Sequence, residues 1–289
     1  MAQTTPQRPP AHKKRRRQSN GGLKRLLLLL AVLLAGFGLL RSMDGGLLEW
    51  TTKLEKNPLT PSDFRTLGGY VFCTGVPTRR GVDVSQYQEE VDWQQVYDAG
   101  FDFAFVRIGY RGNTTGDLYA DELARQHLSG AKAAGLDVGV YFYSQAISPE
   151  EAAEEATWCL DFLGDTALEL PVVYDWEWVG GNARTANMDR QTLTQCAQTF
   201  CQTIEEAGRQ SMLYFNSHVS RDLLDLKALQ RYPFWFAQYK DALDYEYKVD
   251  LWQYTETGTV PGIKGKVDID LMFLYGYPTL TQPPLYEIL

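Results

Sequence analysis

From Gly81 onward, short apolar segments alternate with segments whose apolar residues recur at helical spacing. The apolar segments are four to seven residues long, which suits buried strands better than helices. They lie at 81–84, 103–108, 138–143, 171–176, 212–215, 234–237, 250–254 and 267–273. Such an alternation is typical of a parallel sheet covered by helices, and eight strands are enough for the sheet to close. This pattern therefore restricts the chain to an α/β fold.

Five helical segments lie between these strands, at 92–99, 121–134, 148–163, 189–207 and 220–229. The third begins with Ser148, Pro149 and, at the third helical position, Glu151, which predicts a capping box. The last three strands have little helical sequence between them. We therefore predict an irregular (β/α)8-like barrel of about eight strands and five helices.

The fourth strand ends in the sequence YDWEW, which carries two carboxylates, Asp175 and Glu177, two residues apart. Residues i and i+2 of a strand share a face about 6.6–6.8 Å apart, so these acids stand side by side among aromatic residues. Cleavage of a glycosidic bond uses such a pair, with one acid protonated and the other charged. A D-x-E tripeptide is also common at exposed strand ends, so the rest of the chain must decide between the two interpretations.

Further acids lie on the first and last strands. Asp83 is near the end of the first, and Asp268 and Asp270 are in the last. In a closed barrel the first and last strands are neighbours, and chemistry takes place at the carboxyl ends of the strands. We therefore expect Asp83 and Asp268 at the same mouth as the pair, which favours an active site.

The N-terminal part differs from the barrel in charge. Of the 28 basic residues, nine lie in residues 1–41, which contain no acidic residue. The remainder has 19 basic and 36 acidic residues, which argues against nucleic acid as a partner.

Residues 26–40 are uninterruptedly apolar or glycine and would span about 22 Å as a helix, short of the ~30 Å hydrocarbon core. A cleaved signal peptide is possible, but no A-x-A site follows, so we favour an uncleaved anchor.

Positive charge before an anchor predicts that residues 1–25 form a basic cytoplasmic tail. Residues 26–41 then form a signal-anchor helix, and residues 42–79, which mix Gly, Pro, Thr and charges, form a membrane-proximal stalk. We expect a single-pass protein of the cell membrane with its barrel on the extracytoplasmic side, or a secreted protein if the segment is cleaved.

The four cysteines show neither C-x-x-C nor Cys-His spacing, and the three histidines are scattered. We therefore expect no metal site and no cofactor. Cys196 and Cys201 share an apolar helical stripe, which indicates buried thiols. A disulfide from one of them to Cys159 stays open.

Six segments carry a resemblance to a known family: GVDVSQYQEEVDW, FVRIGYRG, AGLDVGVYFYS, PVVYDWEW, WFAQY and LWQYTETGTVPGIKGKVDID. In this order and spacing they resemble the family 25 glycoside hydrolases. These are lysozymes (N-acetylmuramidases) that cut the β-1,4 bond between N-acetylmuramic acid and N-acetylglucosamine in peptidoglycan. The resemblance implies an irregular β/α barrel over residues 80–278, followed by a tail at 279–289. Together with the anchor, it implies a membrane-anchored bacterial member.

The resemblance also implies roles for the acids. Glu177 matches the family's general acid and Asp175 its partner carboxylate, while Asp83 and Asp268 match two further acids of the groove. Asp175 either attacks as a nucleophile or orients the substrate's 2-acetamido group, and the family's retention of configuration favours acetamido assistance. The chain departs from the family pattern at Phe142, where His is frequent, and at Trp176, where a small or aliphatic residue is usual.

Aromatic and amide side chains at strand ends are the candidates for sugar contacts, because sugar faces stack on rings and their polar groups need fixed partners. These candidates are Tyr143, Tyr214, Gln238 and Trp252. Aromatic residues on a barrel strand are equally often part of the core. Arg107 fits better as the internal partner of an acid than as a substrate contact.

We predict hydrolysis of the glycan strands of peptidoglycan, in catabolism or remodelling of the cell wall, with the cytoplasmic membrane as a second partner. The alternative is a non-hydrolytic peptidoglycan-binding module in a cell-envelope assembly. A module that only binds has no need of an acid that holds a proton, so four acids at one mouth favour the enzyme.

Overall fold

The computed structural model describes residues 53–276. Its strands are β1 (Phe64–Leu67), β2 (Tyr70–Cys73), β3 (Thr78–Val84), β4 (Phe103–Arg111), β5 (Leu118–Ala120), β6 (Asp137–Ser144), β7 (Val172–Trp176), β8 (Ser211–Asn216), β9 (Phe234–Ala237), β10 (Leu251–Gly258) and β11 (Val267–Phe273). All of them except β1, β2 and β5 form a closed ring of eight strands, because β3 pairs with both β4 and β11. The predicted eight-stranded α/β barrel is confirmed.

Five α-helices of the described residues pack around this ring: α1 (Trp93–Asp98), α2 (Ala124–Ala134), α3 (Pro149–Leu163), α4 (Arg190–Glu206) and α5 (Leu226–Leu229). Side-chain caps explain four of their starts: Asp92, Ser148, Asp189 and Asp225 each accept a hydrogen bond from the N–H three residues on. The predicted capping box is half formed, because the Glu151 carboxylate accepts from the N–H of Ile147 instead of Ser148. A π-helical turn replaces the first part of the predicted fifth helix.

The strands β3, β4 and β6 to β10 run parallel, so their carboxyl ends meet at one mouth of the barrel. Strand β11 runs antiparallel to both of its neighbours, β10 and β3. The eight residues between β10 and β11 are too few for a parallel crossover, which needs about a dozen or more. Consequently β11 begins at the mouth where the parallel strands end.

Large side chains fill the barrel below this mouth: Phe103, Phe105, Val173, Met212, Tyr214, Trp235, Ala237 and Leu251. The rings of Phe105 and Trp235 lie 4.8 Å apart between centroids. Two glycines leave the room that these rings need. A Cβ on Gly81 would lie 2.1 Å from the Phe103 ring, and one on Gly139 would lie 2.3 Å from the Phe105 ring. The interior is therefore a packed core and not a pore.

Strands β1 and β2 form an antiparallel hairpin turned by Gly68 and Gly69, both with positive φ. Phe64 of the hairpin is buried, with its ring 5.2 Å from that of Trp252. The sequence assigned this range to a stalk, whereas its described part packs against the barrel. Four-residue strands in a segment rich in Gly, Pro and Thr are too short to produce a recognisable period.

All four cysteines are buried and free, so the disulfide that the sequence left open is not formed. Cys196 and Cys201 lie on the buried face of α4, as their apolar stripe predicts. Burial raises the pKa of the Cys196 thiol to about 12, which keeps it protonated.

Three predicted segments lie outside the described residues: the basic tail 1–25, the signal-anchor helix 26–41 and the C-terminal tail 279–289. Between residues 53 and 276, no helix has the length and apolar character needed to cross a membrane.

Candidate active site

A pocket of about 310 Å³ opens at the mouth where the parallel strands end. Five tyrosines and five acids are among its lining residues, and the acids are Asp83, Asp175, Glu177, Glu256 and Asp268. The structure therefore brings together the four acids that the sequence singled out. Within the described range, no group of three or more His, Cys, Asp or Glu side chains is arranged to hold a metal ion.

Asp175 lies in the middle of the pocket wall, where it pairs with Tyr143 of β6 and Tyr214 of β8. Its carboxylate is buried, and Oδ1 has no hydrogen-bond partner among residues 53–276. Burial raises the pKa of Asp175 well above its usual range, and the charge of Glu177 adds to this, whereas the Arg107 guanidinium opposes it. Burial therefore favours the protonated form of Asp175, and its Oδ1 has hydrogen-bonding capacity that no described residue uses.

Glu177 follows the end of β7 and shares the face of Asp175, as the two-residue period of a strand requires. Burial raises the pKa of Glu177, the nearby Tyr214 hydroxyl lowers it in part, and the charge of Glu256 raises it again. A carboxyl group with a raised pKa keeps its proton closer to neutral pH, which is what a proton donor requires.

Gln145 is buried and holds the turn that follows β7. Its Nε2 donates to the carbonyl oxygens of Ser144 and Glu177, both at 2.9 Å, and its Oε1 accepts from Thr185 Oγ1 at 2.7 Å. Because it bonds the backbone of Glu177, Gln145 fixes the origin of that side chain without contacting the carboxylate. The sequence did not indicate Gln145, since its role arises from contacts between distant segments.

Asp83 and Asp268 stand opposite each other in the antiparallel pair of β3 and β11. Asp83 Oδ2 accepts a hydrogen bond from Gln253 Nε2 at 2.7 Å. Burial, followed by the charge of Asp268, raises the pKa of Asp83. Burial, followed by the charge of Glu256, raises the pKa of Asp268 to about 7. The two strands thus add two acids with raised pKa values to the Asp175–Glu177 pair.

Asp270 is fully buried, two residues along β11 from Asp268. Its Oδ1 accepts a hydrogen bond from Trp235 Nε1 at 2.9 Å. Burial, followed by the charge of Asp83, raises the pKa of Asp270. Asp270 itself does not line the pocket.

Two of the four predicted sugar contacts, Tyr143 and Tyr214, line the pocket, but Gln238 and Trp252 do not. Trp252 is 0% exposed and donates from Nε1 to the Gln238 carbonyl at 2.8 Å. Gln238 Oε1 accepts from the N–H of Asp244 at 3.2 Å. Trp252 cannot contact a sugar, because it has no exposed surface: neighbouring strand positions point to opposite faces, and Trp252 lies on the outer face of β10. Gln238 is partly exposed, and its role as a sugar contact stays a prediction.

Gln253 is one of several pocket residues that the sequence did not indicate. Besides donating to Asp83, it accepts through Oε1 from the hydroxyls of Tyr214 at 3.0 Å and Tyr239 at 3.1 Å. The alternation of side chains along a strand predicts that Gln253 faces inward, since Leu251 faces the interior and Gln253 follows two residues later. Glu256 lies within the irregular part of β10, between the paired residues Thr255 and Gly258, where strand alternation gives no indication of its direction.

Arg107 also lines the pocket, with Nε and one terminal nitrogen each 2.9 Å from Asp121 Oδ2. It is thus the internal partner of an acid, as the sequence favoured, although that acid lies outside the pocket. Asp121 also accepts from the N–H of Gln86 at 3.0 Å, which ties the segment after β3 to this ion pair.

The two departures from the family pattern lie away from the pocket. The Phe142 ring packs 5.4 Å from that of Trp158, on the outer side of the sheet. Trp176 is buried in the same outer cluster. Neither side chain lines the pocket that holds the acids.

The sequence matches a model of the glycosyl hydrolases family 25 over residues 82–263. The autolytic lysozyme of Clostridium acetobutylicum is 26% identical over 194 residues, which are 66% of this chain and 55% of that protein. Lysozyme M1 of Streptomyces globisporus is 30% identical over 94 residues, 32% of this chain and 29% of that protein. The chain thus spans about half the length of the autolytic lysozyme it matches.

Solved structures show the same fold. The modular autolysin LytC of Streptococcus pneumoniae, in complex with a synthetic peptidoglycan ligand, is 25% identical with a TM-score of 0.61, over 68% of this chain and 47% of that chain. A family 25 glycosyl hydrolase of Bacillus anthracis is 23% identical with a TM-score of 0.58, over 74% of this chain and 95% of that chain.

Proposed function

Since the chain belongs to glycosyl hydrolase family 25, we propose that it hydrolyses the β-1,4 bond between N-acetylmuramic acid and N-acetylglucosamine in peptidoglycan. The observation that carries the proposal is the pair of carboxyl groups, Asp175 and Glu177, in the middle of an acidic, tyrosine-lined pocket. Cleavage of a glycosidic bond requires two such groups in different protonation states.

Glu177 is the proton donor in this proposal. Its carboxyl group gives a proton to the glycosidic oxygen while the bond from that oxygen to the anomeric carbon breaks. Burial and the charge of Glu256 both raise its pKa, which supports this role. Gln145 supports it too, by fixing the backbone of Glu177.

Asp175 orients the 2-acetamido group of the sugar whose bond is cleaved. In its ionised form the carboxylate accepts the acetamido N–H, and the acetamido oxygen then attacks the anomeric carbon to form a cyclic oxazolinium ion. Water, deprotonated by the Glu177 carboxylate, opens this ion and restores the original configuration. The alternative is direct attack by Asp175 on the anomeric carbon, a route that does not need the acetamido group.

The fragments released by the full-length protein test the bond that is cleaved. We expect mass analysis of fragments from purified peptidoglycan, reduced with borohydride, to find reduced muramic acid at the new chain end. Reduced glucosamine at that end would contradict the proposal and indicate a glucosaminidase. Binding to peptidoglycan with no fragment released at any pH would instead support the non-hydrolytic binding module.

Replacing Glu256 by Gln should shift the alkaline limb of the kcat–pH profile to lower pH. The charge of Glu256 raises the pKa of Glu177, so its removal lowers that pKa. A general acid loses its proton as the pH rises through its pKa, and the lower pKa therefore brings the loss of activity to lower pH. The midpoint of the limb would be measured on purified peptidoglycan, with Glu122→Gln, an exposed acid outside the pocket, as the matched control. A midpoint that stays in place or rises in E256Q would refute this coupling.

We propose in addition that residues 26–41 hold the barrel at the outer face of the cytoplasmic membrane. The uninterrupted apolar run and the basic residues before it support this topology. Lys and Arg side chains at the ends of a short run can extend to the interface. The full-length chain should be found in the membrane fraction and should be cut by protease added outside spheroplasts. A shortened chain in the culture medium would indicate a cleaved signal instead.

A further inference from the structure

Strand β4 contains a β-bulge beside the pocket. Arg107 pairs with Tyr141 of β6, but the next pair is Gly109 with Phe142, which leaves Ile108 as an extra residue. A bulge shifts the alternation of side chains by one position, and bulges next to active sites often redirect a side chain. The residues of β4 after the bulge therefore face differently from what an uninterrupted strand would give.

After the bulge, Tyr110 pairs with Tyr143 of β6 on one side and with Tyr119 of the edge strand β5 on the other. Tyr143 lines the pocket and pairs in turn with Asp175. Neighbouring strands lie about 4.8 Å apart, so these residues form a line across the sheet. Tyr119, Tyr110 and Tyr143, named here the tyrosine row, lead from the sheet edge to Asp175.

Two rings of this row, those of Tyr110 and Tyr119, are stacked, and the row is partly exposed. Tyr110 and Tyr119 stack with centroids 5.2 Å apart and planes inclined by 23°. The Arg107 guanidinium lies 5.4 Å from the Tyr110 ring and 5.0 Å from the Tyr87 ring, and both Arg107 and Tyr87 line the pocket. Tyr119 is 40% exposed and Tyr87 is 75% exposed. The aromatic surface therefore continues from the pocket to the edge strand.

The chemistry of this surface fits a sugar better than a peptide. Apolar faces of sugar rings pack on aromatic rings, and their hydroxyl groups bond to tyrosine hydroxyls. The carboxylates of a peptide would need free positive charge, but the guanidinium of Arg107 is already paired with Asp121. The five acids of the adjacent pocket would also repel an anionic peptide.

We propose that the tyrosine row binds a sugar unit of the glycan strand outside the pocket, extending the substrate site toward β5. This inference deepens the proposed function and rests on it for the nature of the glycan. Its consequence is a preference for long glycan strands over short fragments, since only a long strand reaches both the acids and Tyr119.

The test compares binding of two probes by the full-length chain carrying E177Q, so that no probe is consumed. The probes are insoluble purified peptidoglycan, measured by co-sedimentation, and a peptidoglycan tetrasaccharide, measured by calorimetry. Adding Tyr119→Ala should weaken binding to peptidoglycan by about 2- to 10-fold, as expected for one aromatic stacking contact. The loss for the tetrasaccharide should be smaller. Tyr110→Ala should show the same difference between probes.

Tyr97→Ala is the matched control, because Tyr97 is 47% exposed on α1 and outside the pocket and the row. Undiminished peptidoglycan binding by a folded Y119A chain, or an equal loss for both probes, would overturn the proposal. Melting temperatures identify any variant that fails to fold. The wild-type protein could release no fragments while Tyr119→Ala still weakens binding to peptidoglycan more than binding to the tetrasaccharide. That result would refute the hydrolase and leave the tyrosine row as a glycan site.

Discussion

Replacing Glu177 by Gln lowers the rate of peptidoglycan hydrolysis by about 10²- to 10⁴-fold, the contribution typical of a general acid. The amide has nearly the shape of the carboxyl group but cannot give a proton to the glycosidic oxygen. The Gln145 bond goes to the backbone of residue 177 and is therefore kept. New reducing ends released from purified peptidoglycan, measured under single-turnover conditions, give the rate of bond cleavage directly.

The control for this prediction is Glu122→Gln, which removes an exposed carboxylate outside the pocket and should retain the wild-type rate. Co-sedimentation with peptidoglycan separates loss of chemistry from loss of binding, because E177Q should still bind. An E177Q chain that hydrolyses at the wild-type rate would remove Glu177 from the mechanism. A chain that no longer binds would show that Glu177 holds the substrate and leave its role as acid unproven.

Replacing Asp175 by Asn lowers the rate by about 10²-fold or more, because a buried amide cannot lose a proton and so cannot supply negative charge to the transition state. The amide retains an acceptor oxygen for the acetamido N–H but not the charge that stabilises the oxazolinium ion. The rate is measured as for Glu177. An Asp175 variant with nearly full activity would contradict any catalytic role for this carboxylate.

Two measurements separate the routes open to Asp175. If it orients the acetamido group, a glycan whose muramic acid lacks the N-acetyl group should be cleaved far more slowly by the wild-type protein. If it attacks directly, that glycan should still react, and azide added to an Asp175→Ala chain should restore activity and yield a glycosyl azide. Products of inverted configuration, observed by NMR immediately after cleavage, would rule out both routes.

The strand periodicity was sufficient to locate the barrel and its acids. Eight apolar segments predicted eight strands, and closure of the ring brought Asp83 of β3 opposite Asp268 of β11, as expected for first and last strands. The wrong prediction at Trp252 concerns the direction of one side chain and not the position of its strand. Residue type and nearness to a strand end predict a sugar contact at Trp252, whereas the alternation that begins at Leu251 directs Gln253 inward and Trp252 outward.

Other features depend on contacts that local sequence does not contain. The hairpin of β1 and β2 is defined by its packing, including the contact of Phe64 with Trp252. The bulge at Ile108 is visible only when β4 is paired with β6, because it is a mismatch between two strands. Gln145 is held in place by a hydrogen bond from the hydroxyl of Thr185, forty residues away. Such features require the three-dimensional pairing of distant segments.

The antiparallel strand β11 is the last part of the barrel to be synthesised. Asp268 is supplied by the last strand of the ring and Asp83 by the first, so the pocket is complete only after residues 267–273 have been synthesised and paired with β3. A chain that stops before residue 267 contains Asp83, Asp175 and Glu177 but lacks Asp268 and the strand that closes the ring between β10 and β3. The wall of the pocket that carries Asp268 is thus the last part of the site to be made.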